Sequence, residues 1–449
     1  MSAKITPEQR QLISELLDRG EKRHVIAELA HVTPGQVSAL AAHRTMRLLR
    51  RQKESAKDAE DGVSSNLQPD NGPAQAHLRP IPLGSEIDGG TPVVWDPEGA
   101  SNPHLLILGE SGSGKTYTAS RLVVELARTG YACIVLDYGQ GFSMDNVPAR
   151  LREQLNVTTF DLSRDGIGIN PLQIYPSDTH GPATVAQRVA DTFIRVYPRL
   201  GVQQHALLRR AVVELLEDGG IRGDDKKTWS RQPPPFRDLE QKLLEYAGSQ
   251  EASLRRVASA TAPHVSTLFF FNTFRRTGHA LSWSDLLTRR GAAWILGLGG
   301  LELSVERAVT EFLLWSLIRH FEMLGPSPLR CFVVLYEAHK LAFGPGSPVE
   351  KVLREGLKFG LGVILASQQP EDFSPVAYAN TAAKIVFQTG DQTGMVSRQL
   401  HRKVKNDHSY EYIAKTIGTL PRGSAYVVLS NIGRATRMLS FEAAGHDVR

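Results

Sequence analysis

Residues 104–116, HLLILGESGSGKT, constrain the fold of this chain more than any other segment. A short apolar run opens the segment, a G-x-x-x-x-G-K-T motif closes it at Lys115 and Thr116, and helical periodicity follows over residues 119–128. This order of strand, glycine-rich turn and helix is typical of a phosphate-binding loop, because the glycines let backbone N–H groups turn inward and the helix N-terminus adds partial positive charge. The segment therefore predicts an α/β domain that binds a nucleoside triphosphate.

Each residue of the loop has a predicted place around the phosphates. Lys115 would reach the β- and γ-phosphates, and the Thr116 hydroxyl would be a ligand of Mg²⁺. A glycine-rich turn without a ligand is the alternative, and the strand before the motif and the helix after it both disfavour that alternative. The predicted nucleotide-binding residues are Gly109, Glu110, Ser111, Gly112, Ser113, Gly114, Lys115 and Thr116.

Further apolar runs predict the rest of the sheet. They lack polar alternation, which indicates strands buried on both faces, as in a mainly parallel sheet covered by helices. Residues 182–287 have helical periodicity and predict a helical insertion, and residues 423–441 predict two strands around a turn near the sheet edge. The predicted strands are 104–108, 132–136, 292–298, 331–335, 363–366 and 383–387.

Polar residues at the ends of these strands are the candidates for hydrolysis. Glu337 follows an apolar strand and is placed to polarise the attacking water, whereas Tyr336 stands where a carboxylate would hold Mg²⁺ through water. Gln368 ends another strand and could sense the γ-phosphate or orient water, or it could be a strand-end turn residue. Asp137 is a further candidate for Mg²⁺, with a turn or capping role as the equal alternative. His339 is more typical of a structural residue than of a catalyst.

The first 46 residues predict a small all-α unit. Capping residues and prolines begin the first and third of three short helices, and a tight turn at His31 and Val32 separates the last two. This pattern is similar to helix-turn-helix domains, in which the third helix reads DNA, although docking and dimerisation modules share the pattern. The candidate DNA-binding residues are Gln36, Ser38, His43, Arg44 and Arg47.

Residues 47–78 predict a basic and then flexible linker between this unit and the domain at 79–449. Six Lys or Arg stand against one acid over residues 43–57, which suits either a solvated linker or an arm that contacts phosphate. The later part is rich in Ser, Asp, Asn, Gln and Pro and has little to bury.

Composition fits a soluble chain of two or three units. The chain has 449 residues, a net charge of +5 and two cysteines, Cys133 and Cys331, both inside apolar runs that predict buried reduced thiols. The N-terminus lacks the apolar segment of a secretory signal, and no apolar run approaches the length of about 20 residues that a membrane span needs. We therefore expect a cytoplasmic protein that does not cross a membrane.

Several separated motifs resemble the HerA/FtsK superfamily over about residues 80–441. These motifs are Leu83-Gly84, PVVWDP from Pro92, HLLILGESGSGKT, Asn170-Pro171-Leu172, YEAHKL and LKFGLGVILASQ. The resemblance implies a RecA-like P-loop ATPase fold, ATP and Mg²⁺ as ligands, and a ring, usually a hexamer, with double-stranded DNA in its channel. It also implies that an arginine of one subunit completes the site of its neighbour, and the candidates are Arg434, Arg437 and Arg354.

The sequence therefore favours an oligomeric, ATP-hydrolysing DNA translocase or helicase-like motor. The resemblance implies work beside a nuclease or another effector, in DNA processing or in defence against foreign DNA, because the sequence shows no nuclease signature of its own. Tyr336 favours an alternative, an ATP-gated scaffold that binds and activates an effector and hydrolyses slowly. A transcription regulator is a third interpretation, disfavoured because the ATPase core is far larger than a sensor needs.

Overall fold

The computed structural model of the chain describes residues 9, 12, 23–33 and 80–441, with gaps at 140–141, 143–146, 148, 154, 272, 275–280, 342, 391–393 and 406–407. The chain divides into two compact units, Met1–Ala76 and His77–Arg449. The predicted linker and the candidate DNA-binding residues Gln36, Ser38, His43, Arg44 and Arg47 lie outside the described residues.

In the first unit, helix α1 spans Arg23–Leu29. Its residue Ile26 is buried, as is Ala30 just beyond its end, and the Gln9 side chain donates a hydrogen bond to the Ala30 carbonyl oxygen at 3.0 Å. The chain then turns at His31, which has a positive φ of 50°. Leu29, the last residue of the helix, is exposed.

The second unit contains, among its described residues, an eleven-stranded sheet and the helices that cover it. The strands are β1 Ile81–Glu86, β2 Pro92–Trp95, β3 Leu105–Leu108, β4 Ala132–Asp137, β5 Asn156–Asp161, β6 Ala292–Gly297, β7 Cys331–Tyr336, β8 Leu361–Ser367, β9 Ala383–Phe387, β10 Ser424–Leu429 and β11 Ile432–Met438. The helices are α2 Lys115–Thr129, α3 Ala149–Glu153, α4 Leu162–Asp165, α5 Pro182–Val196, α6 Val202–Asp218, α7 Asp238–Ala247, α8 Ala252–Phe270, α9 Trp283–Thr288, α10 Leu303–Leu324, α11 Pro348–Glu355, α12 Pro375–Asn380, α13 Met395–His401 and α14 Tyr410–Gly418.

The strand order across the sheet is β2-β1-β11-β10-β9-β3-β8-β7-β4-β6-β5. The strands from β9 to β5 pair in parallel, and those from β9 to β2 pair antiparallel. Because parallel strands end at the same edge, the residues that follow β3, β7 and β8 are brought together there.

Both faces of the parallel part are buried, as the continuous apolar runs indicate. Along β3, Leu106 and Leu108 enter one hydrophobic core, whereas Leu105 and Ile107 enter the core on the opposite face. The first core includes residues of the helices between β5 and β6, which form the predicted helical insertion. Burying both faces removes the apolar strands from water and holds the sheet edge rigid.

The two strands predicted over residues 423–441 are present as β10 and β11, and β1 and β2, which were not predicted, continue the sheet beyond them. The edge strand β5 was missed because its sequence, NVTTFD, is only partly buried and contains no continuous apolar run. Among the residues that the structure describes, no helix is both long and apolar enough to cross a membrane.

Candidate active site

The loop between β3 and α2 packs tightly against the end of β9. A Cβ atom on Gly109 would lie 2.6 Å from the Cβ of Phe387, so the backbone approaches β9 closely only because residue 109 is glycine. Gly114 has a φ of 112° at the start of α2, a left-handed conformation that favours glycine as well. The two glycines thus fix the turn that leads into the N-terminus of α2.

A cavity of about 420 Å³, here called the P-loop cavity, opens beside this turn. It brings together the loop, the start of α2 and the residues that follow β7 and β8. Seven of the predicted site residues line it, namely Ser111, Gly112, Gly114, Lys115, Thr116, Glu337 and Gln368. The remaining lining residues are Tyr117, Gly139 and Tyr336.

Lys115 is the cation of the P-loop cavity. The residue is only 4% exposed, and its Nζ donates a hydrogen bond to the carbonyl oxygen of Glu110 at 2.8 Å. Burial lowers the pKa of Lys115, and the negative charges of Glu337 and Glu110 oppose that shift. A phosphate group in the cavity would add negative charge beside this buried ammonium and so offset the cost of its burial.

Thr116 and Tyr336 are in direct contact through a hydrogen bond between their hydroxyl groups. Burial raises the pKa of Tyr336, so its phenol is a neutral hydroxyl near pH 7. The hydroxyl expected to bind Mg²⁺ is therefore bonded to the tyrosine that replaces the expected carboxylate.

Glu337 follows β7 in a left-handed backbone conformation, with φ 66° and ψ 63°. Such a conformation costs a non-glycine residue roughly 1–3 kcal/mol and is concentrated at functional sites. Its side chain is 16% exposed, with Oε2 lying 3.2 Å from Nδ1 of His339. The Nε2 of Gln368 donates a hydrogen bond to Glu337 Oε1 at 3.5 Å, so the two candidate catalytic residues contact each other.

Asp137 lies just outside the lining of the P-loop cavity, at the end of β4. Its Oδ1 accepts a hydrogen bond from the Gly139 N–H at 3.3 Å, and its Oδ2 accepts one from the Phe142 N–H at 3.2 Å. Hydrogen bonds of this kind are typical of a turn residue, which was the alternative to a Mg²⁺ ligand at this position.

The three candidate trans arginines lie away from the P-loop cavity of their own chain. Arg434 forms an ion pair with Glu86 at 2.8 Å, and Arg354 forms one with Glu350 at 2.7 Å. Arg437 is exposed on β11. Two of the three candidates, Arg354 and Arg434, thus have a carboxylate partner within their own chain.

A second cavity, here called the β10 cavity, lies on the other side of the loop tip and has a volume of about 390 Å³. It shares Ser111 and Gly112 with the P-loop cavity. The residues of this cavity that lie outside the loop were not predicted from the sequence. They lie at the ends of β9 and β10, and the sequence alone does not show that these strands are neighbours. The lining consists of Glu110, Ser111, Gly112, Ser113, Gln388, Pro421, Arg422 and Ser424.

Residues 81–317 match the family described as the central domain of the helicase HerA. A curated relative is the DNA double-strand break repair helicase HerA of Saccharolobus solfataricus, which is 23% identical over 341 residues. The alignment covers 72% of this chain and 61% of the helicase, so the chain spans less than two thirds of that relative's length.

Two solved structures show the same fold. VirB4 of Thermoanaerobacter pseudethanolicus has a TM-score of 0.64 and 17% identity, covering 84% of this chain and 98% of VirB4. The bacterial conjugative coupling protein TrwB has a TM-score of 0.54 and 16% identity, covering 79% of this chain and 88% of TrwB. The fold is therefore the RecA-like P-loop ATPase fold, with a mainly parallel sheet, as the sequence predicted.

Proposed function

The chain belongs to the family of the HerA helicase central domain, and on this premise we propose that it is an ATP-hydrolysing, oligomeric motor that moves double-stranded DNA. One observation carries the proposal, which is that the P-loop cavity unites Lys115, Thr116, Glu337 and Gln368. These residues supply a phosphate-binding cation, a hydroxyl, a carboxylate and an amide at one sheet edge, as hydrolysis of a triphosphate requires.

The β- and γ-phosphates would lie against the loop and the N-terminus of α2. Backbone N–H groups of the loop and the helix dipole favour anionic oxygens there, and Lys115 adds a full positive charge. Water near Glu337 would lose its proton to the carboxylate as it attacks the γ-phosphate. Gln368 contacts the same carboxylate and can hold this water in line for attack.

The residues fit a hard cation that uses oxygen ligands. Mg²⁺ usually binds substrate phosphates and retained waters together with a few protein oxygen ligands, and the cavity offers the Thr116 hydroxyl as such a ligand. Bound there, the ion would neutralise charge on the phosphate oxygens. Asp137 stays a weaker candidate for this role, because both its oxygens accept backbone hydrogen bonds.

The proposal that ATP hydrolysis is coupled to DNA and to other subunits is supported by family membership. It is also supported by the curated HerA relative, which is described as a DNA double-strand break repair helicase. A hexameric ring would place Arg437, or Arg434 after release from Glu86, at a neighbour's γ-phosphate. Because the sequence shows no nuclease signature, a nuclease or another effector would act as a separate partner. The N-terminal unit would recruit DNA or that partner.

Steady-state ATP turnover with and without long linear duplex DNA tests this proposal, together with subunit counting by mass photometry. We expect hexamers whose turnover rises when duplex is added. A monomer whose turnover ignores duplex would contradict the proposed motor.

The contact between Tyr336 and Thr116 favours a second candidate, an ATP-gated scaffold that binds and activates an effector while hydrolysing slowly. In the scaffold, Tyr336 would replace the carboxylate that holds Mg²⁺ through water, and Mg²⁺ would therefore be bound less firmly. Hydrolysis would then be slow, and the ring would stay in its ATP-bound state. The scaffold and the motor share the same nucleotide site and differ in turnover.

Under the scaffold hypothesis, a Tyr336→Asp variant should turn over ATP about tenfold faster or more, because it restores a carboxylate beside Thr116. Its half-maximal Mg²⁺ concentration should fall as well. Tyr336→Phe is the matched control, since it removes the same hydroxyl contact and adds no carboxylate. Unchanged turnover in Tyr336→Asp would show that the tyrosine does not limit hydrolysis.

A further inference from the structure

We propose that helix α10 positions the general base, with Glu306 and Arg307 as positioning residues that hold the turn carrying Glu337. This role rests on the proposed function, in which the Glu337 carboxylate activates water. Neither Glu306 nor Arg307 lines the P-loop cavity, and neither belongs to the sequence motifs that predicted the site.

The turn of residues 337–340, here called the β7 turn, does not keep its conformation by local preference. Glu337 has φ 66° and ψ 63°, and the short 3₁₀ helix Ala338–Lys340 follows it. The Lys340 N–H donates a hydrogen bond to the Glu337 carbonyl oxygen at 2.9 Å. A left-handed conformation at a non-glycine residue persists only where the surrounding structure imposes it. Contacts from outside the β7 turn should therefore determine where the Glu337 carboxylate lies.

Glu306 supplies the first of these contacts. Its side chain is 4% exposed, and its carboxylate oxygens lie 3.1 and 2.8 Å from Nζ of Lys340, the last residue of the β7 turn. The same ammonium lies 5.3 Å from the centroid of the Tyr138 ring, and the Tyr138 hydroxyl is hydrogen-bonded to Thr310 of α10. The ion pair holds the end of the turn in place, because without Lys340 the carboxylate of Glu306 would be an unpaired charge in the interior.

Arg307, the next residue of α10, supplies the second contact. Its Nη2 donates a hydrogen bond to the His339 carbonyl oxygen at 3.1 Å. In the side chain of the same histidine, Nδ1 lies 3.2 Å from Oε2 of Glu337. Arg307 thus fixes the backbone of the residue whose ring faces the carboxylate of the general base.

The helix that carries both residues is itself fixed by a buried ion pair. Glu311 of α10 is 2% exposed, and Arg195 of α5 donates to its Oε1 from Nε at 2.9 Å and to its Oε2 from Nη2 at 2.6 Å. The Thr192 hydroxyl donates a further hydrogen bond to Oε2 at 3.2 Å. Bidentate pairs of this kind fix orientation as well as distance, and a rigid helix keeps a site in its productive geometry better than a loop does.

Three variants separate positioning from stability. Lys340→Met leaves Glu306 buried and unpaired and should therefore destabilise the fold, whereas the double variant Glu306→Leu/Lys340→Met removes both charges, a change that is often neutral for stability. Arg307→Met removes the contact with His339. We expect kcat to fall about tenfold in all three variants, because the carboxylate is displaced, and the Michaelis constant for ATP to change less than about twofold. Steady-state kinetics and thermal unfolding of the purified chain measure these effects.

A positioning role differs from a purely structural one when the double variant is combined with Glu337→Gln. If Glu306 and Lys340 act through this carboxylate, their loss should add less than about twofold to the effect of Glu337→Gln, because residues that act as a unit are not additive. Arg188→Met is the matched control, since it breaks a buried ion pair with Asp178, at 2.7 Å, and neither residue lines the P-loop cavity. We expect this control to lower thermal stability and to keep the wild-type kcat.

Wild-type kcat in Arg307→Met and in the double variant would overturn the positioning role alone. A loss that adds in full to that of Glu337→Gln would overturn it as well. A wild-type chain that hydrolyses no ATP would instead contradict the proposed function and this inference with it.

Discussion

A Lys115→Ala variant is expected to lose ATP turnover by at least about 100-fold, which is the scale for removing one preorganised group that stabilises developing charge. The substitution removes the buried cation of the P-loop cavity. It also removes the positive charge that interacts with the carboxylate of Glu337. ATP affinity should fall as well, because this cation faces the phosphates in the ground state and in the transition state. Steady-state turnover and nucleotide titration measure the two effects.

A Lys115→Gln variant separates charge from packing. Glutamine keeps a polar side chain at this position but carries no charge, so it removes the ammonium group that now contacts the Glu110 carbonyl oxygen at 2.8 Å. We expect it to be as inactive as Lys115→Ala, whereas Lys358→Ala, at an exposed lysine outside both cavities, should keep full turnover. Turnover near the wild-type level in Lys115→Gln would contradict the role given to this charge.

A Glu337→Gln variant should bind ATP with nearly unchanged affinity and hydrolyse it about 100-fold more slowly or worse, as expected for loss of a general base. Glutamine keeps the length of the side chain and the oxygen that accepts the hydrogen bond of Gln368. It removes only the group that takes the proton from water. Single-turnover hydrolysis and equilibrium binding measure the two effects separately.

Asp372→Asn is a suitable control for this variant. Asp372 is also a carboxylate near the sheet edge, where it accepts hydrogen bonds from the Ser367 hydroxyl and the Gln369 N–H, but it does not line either cavity. We expect its turnover to stay within the range of the wild type. Normal hydrolysis by Glu337→Gln would instead assign water activation to another residue.

The sequence was sufficient to predict the parts of the site that lie on or directly after apolar parallel strands. The motif at Gly109 to Thr116 and the strand-end residues Glu337 and Gln368 follow the rule that ligands bind at the carboxyl edge of such a sheet. The structure brings Lys115, Thr116, Glu337 and Gln368 into one cavity, as this rule implies.

Other features depended on pairings that local sequence does not encode. The contact between Thr116 and Tyr336 joins residues 220 positions apart, and no periodicity predicts that their hydroxyl groups meet. Arg422 precedes a strand that is antiparallel to its neighbour, so its place at the carboxyl edge follows only from the strand order. The antiparallel addition of β1 and β2 beyond β11 was likewise not predicted from local sequence.

Displacement of the third strand from a DNA triplex by the purified chain tests ATP-driven movement on DNA most directly. We predict displacement with ATP, and none with a non-hydrolysable ATP analogue or with the Glu337→Gln variant. An intact triplex despite ATP hydrolysis that is stimulated by duplex DNA would contradict the motor.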